Sequence, residues 1–168
     1  MIISSIVAMG KNRVIGKNNS MMWSIPSETE HYKNIVGTHY YLIGRKNFEG
    51  SIEAHEPQKG KHPLILTRNE SYNSQHPVFQ NIDHAIEFAR QKNEDELFVL
   101  GGSEIYKALM PRINRLYLSI VNFSEQGDAY FPQHEEFNWS VLHKEHFSKG
   151  ANTPLSWDFY LLEKEKAH

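Results

Sequence analysis

The residues with the most chemical content sit at three junctions. The apolar run at residues 40–43 ends in Gly44-Arg45-Lys46-Asn47, the run at 64–66 ends in Thr67-Arg68-Asn69, and the run at 97–100 ends in Gly101-Gly102-Ser103. Each run reads as a strand, and the first and third junctions open helical patterns. In open α/β sheets the ligand sits beyond the carboxyl ends of the strands. A helix start presents free N–H groups and partial positive charge, which suits phosphate. Glycine lets the backbone approach closely. Two arginines and a lysine add the charge that a ligand with several phosphates requires. Taken singly, a Gly-Gly pair is often only a turn and an Arg after a strand is often a solvated end; the convergence of three carries the reading. The G-x-G-x-x-G fingerprint and the Walker motif are both missing, which disfavours the common dinucleotide and triphosphate folds.

A second constellation is an acid. Glu28, Tyr32 and Ile35 are spaced i, i+4, i+7 and share one helix face. That face carries the aromatic and β-branched residues, so it turns inward, and a carboxyl there loses hydration and holds its proton more tightly. Such a group is a candidate proton donor or an anchor for a cationic ligand. The alternative is a first-turn acid favoured by the helix dipole and solvated at the rim. Just before it, Ser20-Met21-Met22-Trp23-Ser24-Ile25-Pro26 is unusually apolar for a loop. It either closes over a ligand as a lid or plugs the core with Trp23. His143-x-x-His146 with Glu145 is a weak metal signal: on an alternating strand His143 and Glu145 share a face and His146 points away. No metal site is expected.

These groups need a frame. Short apolar runs at 2–9, 40–43, 64–67, 76–79, 97–100 and 115–121 read as strands, mostly continuous and therefore covered on both faces. Helical patterns fall between them. Residues 27–36 open with a capping box, Ser27 to Glu30, and stop at Gly37. Residues 82–92 place Ile82, Ala85, Ile86 and Ala89 on one stripe. Residues 102–110 follow a strand and end at Pro111. Residues 139–147 alternate and 155–162 are rich in aromatics, which predicts a closing antiparallel pair. The expected fold class is α/β: an eight-stranded mixed, mostly parallel sheet with flanking helices and an antiparallel C-terminal strand pair. The polar segment 53–63 reads as a loop within one domain spanning residues 1–168.

Composition narrows the function classes. Of 168 residues, 39% are apolar and 12% aromatic, which excludes a disordered chain. The net charge of -2 gives no electrostatic footprint for nucleic acid and no polybasic handle for a membrane. With no cysteine, disulfides, thiolate metal sites and thiol nucleophiles are impossible. No stretch reaches the roughly 18 apolar residues of a membrane span, and the first nine residues lack the basic start of a signal peptide. A cytoplasmic monomer is the expectation.

Several segments, in order, resemble the dihydrofolate reductase family. They are Ile6-Val7-Ala8, Arg13-Val14-Ile15-Gly16, Met21-x-Trp23-x-Ile25-Pro26 with an acid two positions later, Gly44-Arg45-Lys46-Asn47-Phe48-Glu49, Leu100-Gly101-Gly102-Ser103-Glu104-Ile105-Tyr106, Leu116-Tyr117-Leu118-Ser119 and Gly127-Asp128-Ala129-Tyr130-Phe131-Pro132. The resemblance implies hydride transfer from NADPH to C6 of dihydrofolate, with a proton delivered to N5. It implies that Glu28 holds the pterin and helps supply the proton, with Ser119 as its hydrogen-bond partner, Trp23 ordering water beside it and Met21 at the lid tip. It borders the substrate with Ile6, Tyr32, Ile52, Lys61, Leu100 and Tyr106. It places Ala8, Ile15, Gly16, Gly44, Lys46, Asn47, Thr67, Gly101, Gly102, Ser103, Glu104, Ile105 and Tyr106 around the cofactor, and Arg45 and Arg68 about its 2′-phosphate. The Gly101–Gly102 peptide is expected to be cis.

The chain departs from the family pattern at identifiable points. Met22 stands where the family usually has Pro, Asn47 replaces a usual Thr, and Gln80 stands where a Lys can assist the 2′-phosphate. Gln58 and Lys61 align with a Leu that packs on the aminobenzoyl ring and an Arg that clamps the glutamate carboxylate. Arg is a bidentate fork and Lys a point charge, so that exchange bears on tail recognition. Two other readings are compatible with the sequence. One is a reductase of the same fold acting on another small heterocycle, such as a ribosylated pyrimidine of flavin synthesis. The other is a binding module that keeps the pocket without turnover.

Overall fold

The computed structural model describes residues 1–55 and 59–166, without the side chains of Ile52 and Glu53. Gln58 therefore lies outside the described residues. The chain runs β1 (Ile2–Gly10), β2 (Val14–Gly16), α1 (Pro26–Val36), β3 (Tyr40–Gly44), α2 (Arg45–Glu49), α3 (Ile52–His55), β4 (His62–Leu66), β5 (Val78–Phe79) and α4 (Ile82–Gln91). It continues with β6 (Glu96–Val99), α5 (Ser103–Leu109), a 3₁₀ turn (Met110–Arg112), β7 (Arg115–Val121), β8 (Ala129–Tyr130), β9 (Trp139–Phe147) and β10 (Trp157–Lys164).

Eight strands form one sheet in the order β5-β4-β3-β6-β1-β7-β10-β9. The pairings from β5 to β7 are parallel, and β10 pairs antiparallel with both β7 and β9. This is the mixed sheet expected from the alternation of apolar runs and helices. The central strands are buried on both faces, as continuous apolar runs require: Leu42, Leu64, Ile65, Leu97, Val99 and Leu116 are fully enclosed. Helix α4 lays Ala85, Ile86 and Ala89 on this core, and its Asn81 cap accepts from the Asp83 and His84 N–H groups.

Four local expectations change. The capping box on α1 is not formed. The helix starts one residue earlier, with Pro26 in its first turn and Ile25 as a cap that makes no side-chain bond. Pro at this position sacrifices an N–H that has no helical partner anyway. The Ser27 hydroxyl instead accepts from Trp157 Nε1 at 3.1 Å and shares a 2.8 Å bond with Thr153 Oγ1, so a tertiary bond displaces the local cap. The segment 53–63 is not loop throughout, because α3 occupies its start. Strand β5 is only two residues long, since Pro77 has no N–H to give the ladder. A separate ladder pairs β2 with β8, too short to show as a run in the sequence.

Candidate active site

A cleft of about 1180 Å³ opens beyond the carboxyl ends of β1, β3, β4 and β6. Its volume exceeds the roughly 300–1,000 Å³ of a single small-molecule pocket, so it has room for two ligands side by side. The predicted residues Ile6, Ala8, Ile15, Gly16, Met21, Glu28, Tyr32, Gly44, Arg45, Lys46, Asn47, Thr67, Arg68, Leu100, Gly102, Ser103, Glu104, Ile105 and Tyr106 all line it. Segments far apart in the chain converge because β1 lies between β6 and β7, so the chain must cross over on both sides of it.

At one end stands Glu28. Helix α1 turns it inward, leaving it 9% exposed. Lost hydration pushes its carboxyl up to about 7, so near neutrality it can hold or give a proton. Tyr106 lies close by. Its hydroxyl donates to the Ile6 carbonyl at 2.7 Å, and burial, with the nearby Tyr32 and Glu28, holds the phenol above its ordinary range. The inward reading of the Glu28 face is therefore the one realised, and the solvated-rim alternative is not.

At the other end the three junctions meet. The Gly44 N–H donates to the Gly101 carbonyl at 2.7 Å, which clasps two of them together. The Gly101–Gly102 peptide is cis. Gly101 takes a φ of +95°, and a Cβ on it would lie 2.5 Å from the Tyr106 ring, so glycine is required at this turn. Arg45, Lys46 and Arg68 bring positive charge to the same wall. Arg45 is held from behind by Glu49, 3.2 Å away on the next helical turn, and lies over the Tyr72 ring.

The segment between β2 and α1 overhangs the cleft. Met21 is 55% exposed at its tip and reaches the lining. Its base is fastened: Lys17 and Ser20 exchange backbone bonds, the Asp128 N–H donates to the Gly16 carbonyl, and Asn18 N–H donates to the Asp128 carboxylate at 2.9 Å. Asn19, Ser20, Thr29, Asp128 and Ala129 line the cleft without having been singled out. Asp128 and Ala129 lie in the quoted segment 127–132 and Ser20 in the apolar segment 20–26, though no role attaches to them there; Asn19 and Thr29 lie in neither.

Some predicted residues stand outside the lining. Trp23 packs edge-on against Phe123, ring centroids 5.2 Å apart, and its Nε1 is buried without a partner among the described residues. Ser119 is buried on β7 opposite Ala8, and its expected bond to Glu28 is not among those the described residues form. Gly101 is buried and does not line the cleft. Lys61 donates to the Gly37 carbonyl at 2.7 Å, at the C-terminal end of α1. Ile52 lies in α3, and its side chain is outside the described residues. His143 and His146 are engaged on the exposed β9 edge, the first 3.5 Å from Glu145 and the second 2.7 Å from Asp158.

Comparison with known proteins bears on this arrangement. A family model described as dihydrofolate reductase matches residues 2–164. The dihydrofolate reductase of Bacillus subtilis (strain 168) is 31% identical over 166 residues, covering 99% of this chain and 96% of the relative. That of Staphylococcus haemolyticus is 35% identical over 166 residues, covering 96% and 95%. Among solved structures the chain is similar to dihydrofolate reductase from Enterococcus faecalis complexed with NADP(H) and RAB-propyl, with a TM-score of 0.87. That likeness covers 98% of this chain and 97% of the other at 22% identity, and is one of fold.

Proposed function

The chain belongs to the dihydrofolate reductase family, and from that premise we propose that it reduces 7,8-dihydrofolate to 5,6,7,8-tetrahydrofolate with NADPH. The single observation that carries the reading is Glu28, a buried carboxyl poised near neutrality at one end of a cleft whose other end is cationic.

The residues present fit the cofactor. Gly44, Gly102 and Ser103 bring main chain to the cleft wall, and Arg45, Lys46 and Arg68 supply charge there for its phosphates. Arg45 and Arg68 would take the 2′-phosphate, with Thr67 beside them. The backbone from Gly101 to Ile105 and the side chain of Asn47 would take the pyrophosphate, and Ala8, Ile15, Gly16 and Tyr106 would flank the nicotinamide. When bound, NADPH supplies a hydride to C6 of the substrate.

The chain's own residues do the rest. Glu28 binds the pterin at N3 and the 2-amino group, and its proton is the source for N5 through water or the ring itself. Burial makes that proton available at neutral pH, where an exposed carboxyl would have lost it. Tyr32 and Leu100 enclose the ring, the Ile6 and Leu100 carbonyls border it, and Tyr106 fixes the Ile6 carbonyl. Trp23 offers its orphaned N–H to a water beside Glu28, and Met21 closes the mouth so that the two rings meet in a water-poor space. Ser119 backs the pterin end. Lys61 and Ile52 attend the tail: the Lys61 ammonium has three donors, of which Gly37 takes one.

We place this activity in a single-domain cytoplasmic monomer. Among the described residues no helix is long and apolar enough to cross a membrane. The test is the absorbance of reduced nicotinamide, which falls when dihydrofolate is added. Tight NADPH binding without that fall would contradict turnover; a fall only with a ribosylated pyrimidine would contradict the substrate.

A further inference from the structure

Among the described residues that line the cleft, one acid is paired with a cation of the phosphate end. Glu104 lines the wall along with Arg45, Lys46 and Arg68, and its carboxylate lies 3.8 Å from the Arg68 guanidinium. The two arginines are held differently. Arg45 is 31% exposed, and the acid paired with it, Glu49, stands outside the lining. It is positioned from behind by Glu49 and Tyr72 and keeps its charge for the cleft. Arg68 is 94% exposed, and the acid facing it from inside the lining, itself 85% exposed, is Glu104. A phosphate arriving at Arg68 meets a guanidinium already drawn toward a carboxylate, and it meets that negative charge as well.

We propose that Glu104 sets the cofactor preference of this cleft, by competing with the 2′-phosphate for Arg68 and so narrowing the discrimination between NADPH and NADH. The inference rests on the assignment of this end to the adenosine half of NADPH. It gives Glu104 a role opposite in sign to that of its neighbours. A ligand without the 2′-phosphate has nothing to gain from releasing Arg68, so the acid acts on the difference between the two cofactors. Because the pair is exposed, the effect is modest and weakens with salt.

The experiment uses calorimetry on the full chain without substrate. The probes are adenosine 2′,5′-bisphosphate and adenosine 5′-phosphate, which differ only in the 2′-phosphate. Glu104→Gln is expected to improve the ratio of the two affinities by about threefold to fivefold, the range open to an exposed ion pair. The gain should shrink as ionic strength rises, and it should vanish in the Arg68→Gln background. No gain, or a gain that persists without Arg68, overturns the proposal, while a loss of bisphosphate affinity in Arg68→Gln alone leaves the cofactor assignment intact. If the unaltered protein does not prefer the bisphosphate and Arg68→Gln changes nothing, the cofactor assignment itself fails. Both side chains lie at the surface, and matching thermal melts establish that the variants are folded.

Discussion

Glu28 makes a demand on stability as well as on chemistry. Its carboxyl is raised from 4.5 to about 7 by burial. Between those two values the unfolded chain has released the proton and the folded chain has not. The folded state then binds more protons, so stability falls as pH rises through this window and stays lowered above it. The shift corresponds to a penalty of about 3 kcal/mol at alkaline pH. Glu28→Gln keeps the shape and removes the charge. We expect the variant to melt several degrees above the parent at about pH 8, at roughly 2–4 °C per kcal/mol for a chain of this size. The difference should close near the unperturbed carboxylate range. A constant difference at both pH values would show that Glu28 is not held protonated by the fold.

At the scale of elements, α1 presents Glu28, and what fixes α1 is a bond across the molecule. Ser27 is tied to Trp157, which is buried at 1% exposure and stacks on Phe147. Ser27→Ala should cost about 1–2 kcal/mol, because the Trp157 N–H is left buried without its partner. Glu30→Gln should change stability by less than about 0.5 kcal/mol, as for an exposed side chain outside any cap. Equal losses in chemical denaturation would restore the capping box. This is also where the sequence was least legible. The pattern from Ser27 to Glu30 is local and correct as a pattern, but the hydroxyl is claimed by a residue 130 positions away. Likewise β2 and β8 are too short for a period to appear, and they matter because they anchor the loop that overhangs the cleft. The eight strands of the main sheet were legible because burial on both faces forces continuous apolar runs. The inward turn of Glu28 was legible because Tyr32 and Ile35 share its face. The contribution of Asp128 was not, because it depends on a contact to Asn18 that neither neighbourhood announces.

The whole molecule carries a net charge of -2, yet it gathers Arg45, Lys46 and Arg68 at one end of its cleft. A ligand that binds there binds only the folded chain, since the three junctions come from strands that meet in the sheet. At a hundredfold excess over its dissociation constant, NADPH should add about 2.7 kcal/mol of stability. That raises the melting temperature by roughly 5–10 °C. NADH at the same concentration should raise it less, and equal shifts would deny the cationic end its role. The central claim joins both ends of the cleft: hydride arrives from the cofactor side and the proton from Glu28. The most direct measurement is the rate of NADPH oxidation at saturating dihydrofolate across pH, for the parent and for Glu28→Gln. We predict that the parent rate falls as pH rises through an apparent pKa near 7. The variant should lose about a hundredfold or more at neutral pH, the scale of general acid catalysis, and much less in acid, where solvent supplies the proton. A variant that keeps the parent rate at neutral pH would contradict the account.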